Sequence, residues 1–275
     1  MKITTPYQRQ KLIPFHLKII RLLISISLER KKRFNKSLDK IEKFSYALLE
    51  YPKNISFSKV NTKYLIQKLT RECKEIDGFD HNEKSPFFYV RKVRNSKGLN
   101  IGYDLNLIEF CNIESVISQI IKAEYENIKK VVKLVCEKLE KQKQKKLNIK
   151  FVKLYHYNSV EHPRPLHFDS FNDDSYKLFF FLDNVKNNNG PYCIIPFSHK
   201  KKYLNKMMQL YNRSKLNKIW LDINDGSFYK AEDAIQFKKM KKNNFIVTKQ
   251  NAIHGDIPAK KNFTKTALVF HILPN

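Results

Sequence analysis

The sequence contains little glycine and proline, with 6 and 10 residues in a chain of 275. Collagen-like and linker-dominated proteins need far more of both, so the chain belongs to neither class. Instead, 42% of the residues are hydrophobic and 13% are aromatic, which is enough to bury the core of one large domain or two small ones. The composition therefore indicates a folded, globular protein rather than a disordered one.

Cysteine is also scarce, and the four cysteines show no C-x-x-C spacing: Cys73, Cys111, Cys136 and Cys193. The absence of C-x-x-C pairs argues against a cysteine-based zinc site. A chain of this size does not need disulfide bonds to fold, so we expect reduced thiols and a cytoplasmic location.

No uninterrupted apolar run approaches the roughly 20 residues that span a bilayer. The one targeting-like stretch, residues 17–28, reads LKIIRLLISISL and is interrupted by Lys18 and Arg21. It is followed by ERKKRF rather than by a small-residue cleavage site, which does not fit a signal peptide. A basic amphipathic helix fits better, either packed on its own domain, which we favour, or lying on an anionic membrane.

Arginine and acidic residues are scarce relative to lysine. The chain carries 53 Lys and Arg against 26 Asp and Glu, a formal net charge of +27, and only nine of the cations are arginine. Such a surface attracts anions, including nucleic acid, anionic lipids and phosphorylated or carboxylated substrates. The abundance of Lys, Asn and Ile is equally typical of coding in an A/T-rich genome, so the charge alone identifies no partner.

Hydrophobic periodicity divides the chain into a helical first part and a strand-rich second part. In residues 34–51, apolar side chains recur on one helical face. A longer helix is predicted to begin with Asn112 as its N-cap and to continue to Leu139. Residues 52–111 are predicted to form short secondary-structure elements of mixed type. We therefore expect a helix-rich region over residues 1–147.

Short strand-like runs dominate after Leu147, separated by turn segments such as NNNGP and KKNN. A helix-like insert, residues 199–211, follows the third run. Many short strands after a helical region indicate an α+β fold, and a double-stranded β-helix of the cupin type, or jelly roll, is one solution. We expect residues 148–275 to form this core, with an insert or lid over residues 199–242, in one structural unit. The five runs cover residues 149–157, 177–185, 191–197, 245–248 and 266–272.

Three H-x-[DE] matches occur in the chain, and their settings differ. The match at residues 81–83 lies in a polar stretch without a following strand, and the one at residues 254–256 leads into a loop. His167 and Asp169 shortly precede the apolar run KLFFFL, and residues two apart on a strand face the same side, so this pair suits a metal. A mononuclear Fe(II) oxygenase needs two imidazoles and one carboxylate on one face of the ion. His254 is then the candidate for the distal imidazole.

Three ordered pieces of the second half resemble one known family. They read HFDSF from His167, KLFFFLDNVKNNNGPYCIIPFSHK from Lys177, and NFIVTKQNAIHGDIPAKKNFTKTALVFHI from Asn244. Together they resemble the phytanoyl-CoA dioxygenase family of 2-oxoglutarate oxygenases, whose NGPL…PGSHK stretch is similar to NGP…IPFSHK here. The resemblance covers residues 150–275, and residues 1–110 carry no recognised match.

This resemblance implies a double-stranded β-helix core with the preceding helices packed on its outer face. It implies Fe(II) bound by His167, Asp169 and His254, with 2-oxoglutarate and O2 as co-substrates. Halogenases of the family replace the carboxylate ligand by Gly or Ala. Asp169 therefore implies hydroxylation, with conversion of 2-oxoglutarate to succinate and CO2.

The family usually anchors the distal carboxylate of 2-oxoglutarate with an arginine on the strand after the distal histidine. Here the matching position is Lys265, and no arginine occurs after Arg213. The guanidinium group of arginine is planar and forms two parallel hydrogen bonds with a carboxylate, whereas the ammonium group of lysine acts as a point charge. Lysine still neutralises the carboxylate. The alternative is that Lys265 is a surface strand residue and the co-substrate site has decayed, with Lys260 and Lys261 as fallback anchors. Tyr155 is a further candidate, as a hydroxyl donor to the co-substrate.

The substrate is not identified by the sequence. The positive charge favours an anionic or carrier-linked small molecule. Arg164, just before the metal pair, and Trp220, in the lid segment 214–242, are candidate substrate contacts. We expect no nucleic-acid partner and no membrane association, and the sequence makes no prediction of the oligomeric state.

Two other functions stay open. The first is a basic protein that binds nucleic acid or a membrane surface on a degenerate cupin-like scaffold, because residues 1–50 hold 12 Lys and Arg against 4 Asp and Glu. No recognised nucleic-acid-binding motif supports it. The second is a cupin-type enzyme that uses another divalent metal without 2-oxoglutarate.

Overall fold

The computed structural model describes residues 39–50, 60–76, 84–94, 100–160, 166–167, 169, 172–200, 234–241 and 244–275. The predicted amphipathic segment and most of the predicted lid lie outside these residues. Within them, no helix is long and apolar enough to cross a bilayer. The helices are α1 Asp39–Phe44, α2 Thr62–Glu72, α3 Glu114–Ile120 and α4 Lys122–Lys143. The strands are β1 Tyr46–Glu50, β2 Lys74–Glu75, β3 Phe87–Arg94, β4 Asn100–Cys111, β5 Leu147–Asn158, β6 Tyr176–Phe181, β7 Tyr192–Ile194, β8 Ile235–Gln236, β9 Asn244–Lys249, β10 His254–Asp256 and β11 Thr264–Pro274.

The strands form two mostly antiparallel sheets that face each other. The larger sheet has eight strands in the order β1-β9-β6-β11-β5-β4-β3-β2, and the smaller sheet has the order β10-β7-β8. His167 adds a single bridge beside β10. Phe179 of the larger sheet and Tyr192 of the smaller sheet pack with ring centroids 4.5 Å apart. This architecture is a double-stranded β-helix, or jelly roll, and it confirms the predicted fold.

Strand β11 shows how one strand serves both faces of the larger sheet. Alternate residues of a strand point to opposite faces. Leu268, Phe270 and Ile272 pack into the outer core with the helices, and the ring of Phe270 stacks on Tyr125 of α4 at 6.2 Å. Ala267 belongs instead to the core between the two sheets. The helices therefore lie on the outer face of the larger sheet, as predicted.

The helix predicted over residues 34–51 is wrong beyond residue 44. Helix α1 ends at Phe44, and Ser45 adopts a positive φ of 76°. The chain then continues as β1, in which Tyr46 pairs with Thr248 of β9. The segment YALLE is apolar at successive positions, so it suits a buried strand as well as a helix, and pairing with the edge of the sheet decides between them.

Strands also occur where the sequence predicts a helix-rich region. Both β3 and β4 precede residue 147 and extend the larger sheet. Strand β4 pairs with β5 from Leu107↔Tyr157 to Cys111↔Lys153. The helix-rich description of residues 1–147 is therefore incomplete, and the predicted boundary separates strands of one continuous sheet.

The long helix predicted from Asn112 is present, with two corrections. Helices α3 and α4 are separated at Ile121, whose φ of −125° and ψ of 50° are not helical. Asn112 has a φ of 53°, and Ile113 rather than Asn112 occupies the N-cap position. Asparagine tolerates left-handed backbone, so Asn112 turns the chain out of β4 instead of capping the helix.

Candidate metal centre and adjoining cavity

The three predicted metal ligands lie together because two backbone segments pair directly. The backbone N–H of His167 donates to the carbonyl oxygen of His254 at 2.8 Å, and the reverse bond measures 2.7 Å. The N–H of Asp169 donates to the carbonyl oxygen of Gln250 at 2.9 Å. His167 is a single bridge residue and Asp169 lies in a bend, so the regular strand predicted for this pair is wrong. Pairing with the segment around β10, rather than strand alternation, brings the side chains together.

The side chains of His167, Asp169 and His254 converge on one point. One ligand atom from each lies within 4.8 Å of the others. His254 Nε2 is 3.0 Å from Asp169 Oδ2, and His167 Nε2 is 3.5 Å from Asp169 Oδ1. Both imidazoles are buried. Among the described residues, these three form the one group with the geometry to hold a metal ion.

The protonation state of His254 favours a cation at this point. Its Nδ1 lies 2.8 Å from the carbonyl oxygen of Ala252, and a carbonyl only accepts hydrogen bonds, so Nδ1 carries the proton. The lone pair of Nε2 then faces the carboxylate of Asp169. Two acceptors at this distance repel each other unless a proton or a metal ion lies between them. A divalent metal ion meets this condition, since imidazole nitrogens and carboxylate oxygens are ordinary metal ligands.

Lys177 is a residue of this site that the sequence analysis missed. It lies on β6, is buried, and its ammonium group forms an ion pair with Asp169 Oδ2. Burial raises the pKa of Asp169, but the ammonium group of Lys177 opposes this effect, and the pKa stays well below its ordinary value. The carboxylate therefore stays ionised. The signal in the sequence is a single lysine in an apolar strand, in phase with Phe179 and Phe181.

A cavity extends from this point between the two sheets. His167, His254 and Lys177 line one end, and Asp256 and Lys265 line the other. The cavity thus joins the converging ligands to a second group of charged side chains. Its walls are largely aromatic, and such walls exclude water and strengthen electrostatic interactions inside. The wall residues include Tyr155, Tyr157, Phe179, Phe181, Tyr192 and Ala267.

Lys265 points into the far end of this cavity and is only 2% exposed. The alternative that it is a surface strand residue is therefore wrong. Its ammonium group lies 2.5 Å from Asp256 Oδ1, 2.5 Å from the carbonyl oxygen of Gly190 and 4.0 Å from the centroid of the Tyr157 ring. The fallback lysines, residues 260–261, are exposed in the turn before β11.

The NGP turn shapes this end of the cavity. Gly190 has a φ of 68°, and a side chain there would bring its Cβ within 2.7 Å of the carbonyl oxygen of Ile257. Glycine is therefore required at this position. The carbonyl oxygen of Gly190 accepts a hydrogen bond from Lys265, so the turn fixes one contact of the candidate anchor.

Tyr155 lies in the cavity wall between the two ends. Burial and the nearby Glu109 raise its pKa well above the ordinary value, so its hydroxyl stays protonated and can donate. The sequence analysis missed two neighbours, Tyr157 and Asp256, which are joined by a hydrogen bond of 2.8 Å from the Tyr157 hydroxyl to Asp256 Oδ2. The HGD segment, which was predicted to lead into a loop, itself forms β10 and places Asp256 two residues after His254.

The two predicted substrate contacts, Arg164 and Trp220, lie outside the described residues. The same holds for residues 201–233 of the predicted lid. Residues 234–241 contribute β8 to the smaller sheet, where Ile235 pairs with Ile194. The substrate contacts therefore stay predictions.

Comparisons with known proteins support the fold. No protein-family model matches the chain, and no curated protein matches it significantly. AviO1 from Streptomyces viridochromogenes Tue57 is similar in structure, with 14% identity and a TM-score of 0.51 over 85% of this chain and 91% of that chain. HygX from Streptomyces hygroscopicus, solved with nickel and 2-oxoglutarate bound, has 10% identity and a TM-score of 0.50 over 86% of each chain. At such identities the similarity concerns the fold alone. This chain therefore shares its double-stranded β-helix fold with both proteins, and its resemblance to the phytanoyl-CoA dioxygenase family stays a prediction.

Proposed function

We propose that this protein is an Fe(II)- and 2-oxoglutarate-dependent oxygenase that hydroxylates a small molecule. The observation that carries the proposal is the convergence of His167, Asp169 and His254 at one end of a cavity whose other end holds a buried lysine. Two imidazoles and one carboxylate on one face of an ion leave the opposite face open, which is characteristic of such oxygenases. HygX, which is similar in fold, holds nickel and 2-oxoglutarate, and this supports both kinds of ligand here.

In this proposal, His167 Nε2, His254 Nε2 and one oxygen of Asp169 hold the metal ion. Lys177 keeps the Asp169 carboxylate ionised, and the backbone pairing of the two histidines positions their rings before a metal binds. With Fe(II), 2-oxoglutarate and dioxygen bound, such a site oxidises a C–H bond of the substrate and releases succinate and CO2. The protein contributes geometry, charge and the exclusion of water.

The spacing between His254 and Asp256 suits 2-oxoglutarate. His254 and Asp256 are two residues apart on β10, which corresponds to about 7 Å along a strand. A five-carbon dicarboxylate has a similar length, so one end would lie at the metal and the other near the ammonium group of Lys265. Tyr155, which stays protonated in the cavity wall, would donate a hydrogen bond to the co-substrate.

Asp169 favours hydroxylation over halogenation, because its carboxylate occupies the position that a halide ligand needs. The net charge of +27 favours an anionic or carrier-linked substrate. Arg164 and Trp220 are the proposed substrate contacts, in a cytoplasmic enzyme without a nucleic-acid partner.

Anaerobic addition of Fe(II) and 2-oxoglutarate to the purified protein tests the proposal. We expect a weak visible metal-to-ligand charge-transfer band, followed by slow succinate formation when air is admitted. His167→Ala should lose both signals, because it removes one of the two imidazole ligands. Asp173→Ala is the matched control, because Asp173 lies in the same segment but is 69% exposed, and it should keep both signals.

The same experiment separates the alternatives. A protein that binds Fe(II) but gives neither the band nor succinate contradicts the use of 2-oxoglutarate and favours a cupin-type enzyme with metal alone. A protein that binds no divalent metal contradicts the oxygenase altogether.

A further inference from the structure

Asp256 places a carboxylate where the distal carboxylate of a co-substrate would arrive. It lies on the same face of β10 as His254, because residues two apart on a strand point to the same side. Its side chain is only 9% exposed, and both of its oxygens have partners. Lys265 Nζ lies 2.5 Å from Oδ1, and the Tyr157 hydroxyl donates to Oδ2 at 2.8 Å. The candidate anchor therefore already has an anionic partner within the protein.

The contacts of the Lys265 ammonium group show what a second carboxylate would have to displace. An ammonium group has three N–H donors. Two of its contacts are Asp256 Oδ1 and the carbonyl oxygen of Gly190, both at 2.5 Å, and the group also lies over the Tyr157 ring. A carboxylate that enters this end has only the third N–H unless it takes over the donor that Asp256 holds. It also meets the like charge of Asp256 in apolar surroundings, where repulsion between carboxylates is strong.

We infer that Asp256 competes with the distal carboxylate of 2-oxoglutarate for Lys265. Asp256 thereby limits the affinity for the co-substrate and reduces the selectivity against 2-oxo acids that lack this carboxylate. The inference rests on the proposed function and assigns a role to a residue that the sequence analysis did not single out. The opposite role, in which Asp256 only positions Lys265 for the co-substrate, predicts the opposite sign for the effect of its removal.

Calorimetry without turnover separates the two roles. The Ni(II)-loaded protein is titrated with 2-oxoglutarate and with 2-oxopentanoate, which has the same chain length but no distal carboxylate. The variants are Asp256→Asn, Asp256→Ser, Lys265→Met and the double variant of Asp256→Asn with Lys265→Met. Glu114→Gln on the outer helix α3 removes one negative charge away from the cavity and is the matched control. Circular dichroism and thermal unfolding establish that each variant is folded.

Loss of the Asp256 charge should tighten the binding of 2-oxoglutarate by at least about tenfold, or ~1.4 kcal/mol. Binding of 2-oxopentanoate should not change, because this ligand brings no charge to Lys265. In the Lys265→Met background, Asp256→Asn should give a smaller gain, because it relieves only the repulsion between the two carboxylates and no cation is left to compete for. Glu114→Gln should leave both affinities at the wild-type value.

Unchanged or weaker binding of 2-oxoglutarate in both folded Asp256 variants would overturn the inference and leave the proposed function intact. An equal or larger gain in the Lys265→Met background would overturn it as well, because the effect would then not act through Lys265. If the wild-type protein and the variants bind Ni(II) but neither 2-oxo acid, the proposed co-substrate itself is wrong, and the inference falls with it.

Discussion

The two ends of the cavity hold the same pair of residue types, a buried lysine beside an aspartate, but the other partners of each pair differ. At the metal end, Lys177 pairs with Asp169, and two imidazoles also face the carboxylate. At the anchor end, Lys265 pairs with Asp256, and the remaining partners are the hydroxyl of Tyr157 and a backbone carbonyl.

The different partners explain why two similar Lys–Asp pairs suit ligands of opposite charge. Imidazole nitrogens present lone pairs, so the metal end suits a divalent cation although Lys177 is close by. The anchor end presents N–H and O–H donors, which suit a carboxylate. The imidazoles at the metal end and the Tyr157 hydroxyl at the anchor end therefore distinguish the two ends. Each pair is neutral in sum, so a divalent cation at the metal end and a dianion that spans both ends keep the cavity neutral.

The largest expected effect comes from removing an imidazole at the metal end. His254→Ala should weaken the affinity for Fe(II) or Ni(II) by about a thousandfold, or ~4 kcal/mol, because one of three protein ligands is lost. His156→Ala is the control, since His156 contacts Thr266 Oγ1 at 3.0 Å and lies outside the converging group. Competition with a metal-binding dye measures both affinities. If His254→Ala and the wild type bound the metal with equal affinity, the imidazoles would not be what makes this end of the cavity a metal site.

Binding at the two ends should be coupled, because each ligand compensates the charge that the other brings. We expect 2-oxoglutarate to bind about a hundredfold more tightly to the Ni(II)-loaded protein than to the metal-free protein. By thermodynamic reciprocity, 2-oxoglutarate should tighten metal binding by the same factor. Calorimetric titrations in both orders measure the two factors. Independent binding would show that the two ends do not share one ligand.

A buried histidine outside the cavity gives a reference for the imidazoles of the metal end. His199 Nε2 donates to the carbonyl oxygen of Glu42 at 2.9 Å, and its Nδ1 lies 2.6 Å from Ser45 Oγ, so its nitrogens have protein partners. Burial and the nearby Lys249 lower the pKa of His199 to about 4. The unfolded chain takes up this proton near pH 6.5, whereas the folded chain does not, so acidification favours unfolding.

The free energy of unfolding should therefore fall by about 3 kcal/mol as the pH is lowered from about 6.5 to below 4 and then level off with respect to this group. His199→Asn cannot be protonated and should lose this part of the pH dependence. Urea unfolding over this pH range measures both proteins. An identical slope in the two would show that His199 is not the group responsible.

The smallest effect is expected from a Lys–Asp pair at the surface. Lys145 Nζ lies 2.5 Å from Asp174 Oδ2, the same distance as in the Lys265–Asp256 pair, but the lysine is 59% exposed. Solvent screens such a pair, so Lys145→Met should lower the free energy of unfolding by less than ~1 kcal/mol. Urea unfolding at neutral pH measures the change. A larger loss would mean that distance rather than burial sets the strength of these pairs.

The strands and the candidate ligands could be predicted because chemistry restricts their residue types. Strands β5, β6, β9 and β11 are apolar runs between turn segments, which is a pattern of strands. A metal site of this kind needs two imidazoles and one carboxylate, and the chain offers few spacings that provide them. The prediction of His167, Asp169 and His254 as ligands follows from that restriction.

The charged partners could not be predicted in the same way. Lys177 and Asp256 belong to residue types that are common on surfaces, and the chain has 53 Lys and Arg. Only the packing of the two sheets shows that both side chains lie inside a cavity. Strand β1 was missed for a different reason, because Tyr46–Glu50 fits either period and its partner β9 lies far along the chain.

The central claim is that His167, Asp169 and His254 bind one divalent ion. A crystal structure of the Mn(II)- or Fe(II)-loaded protein, with anomalous difference maps at the metal edge, tests it most directly. We predict a single peak about 2.0–2.3 Å from the two Nε2 atoms and from one oxygen of Asp169. A peak at other residues, or no peak at saturating metal, would contradict the account.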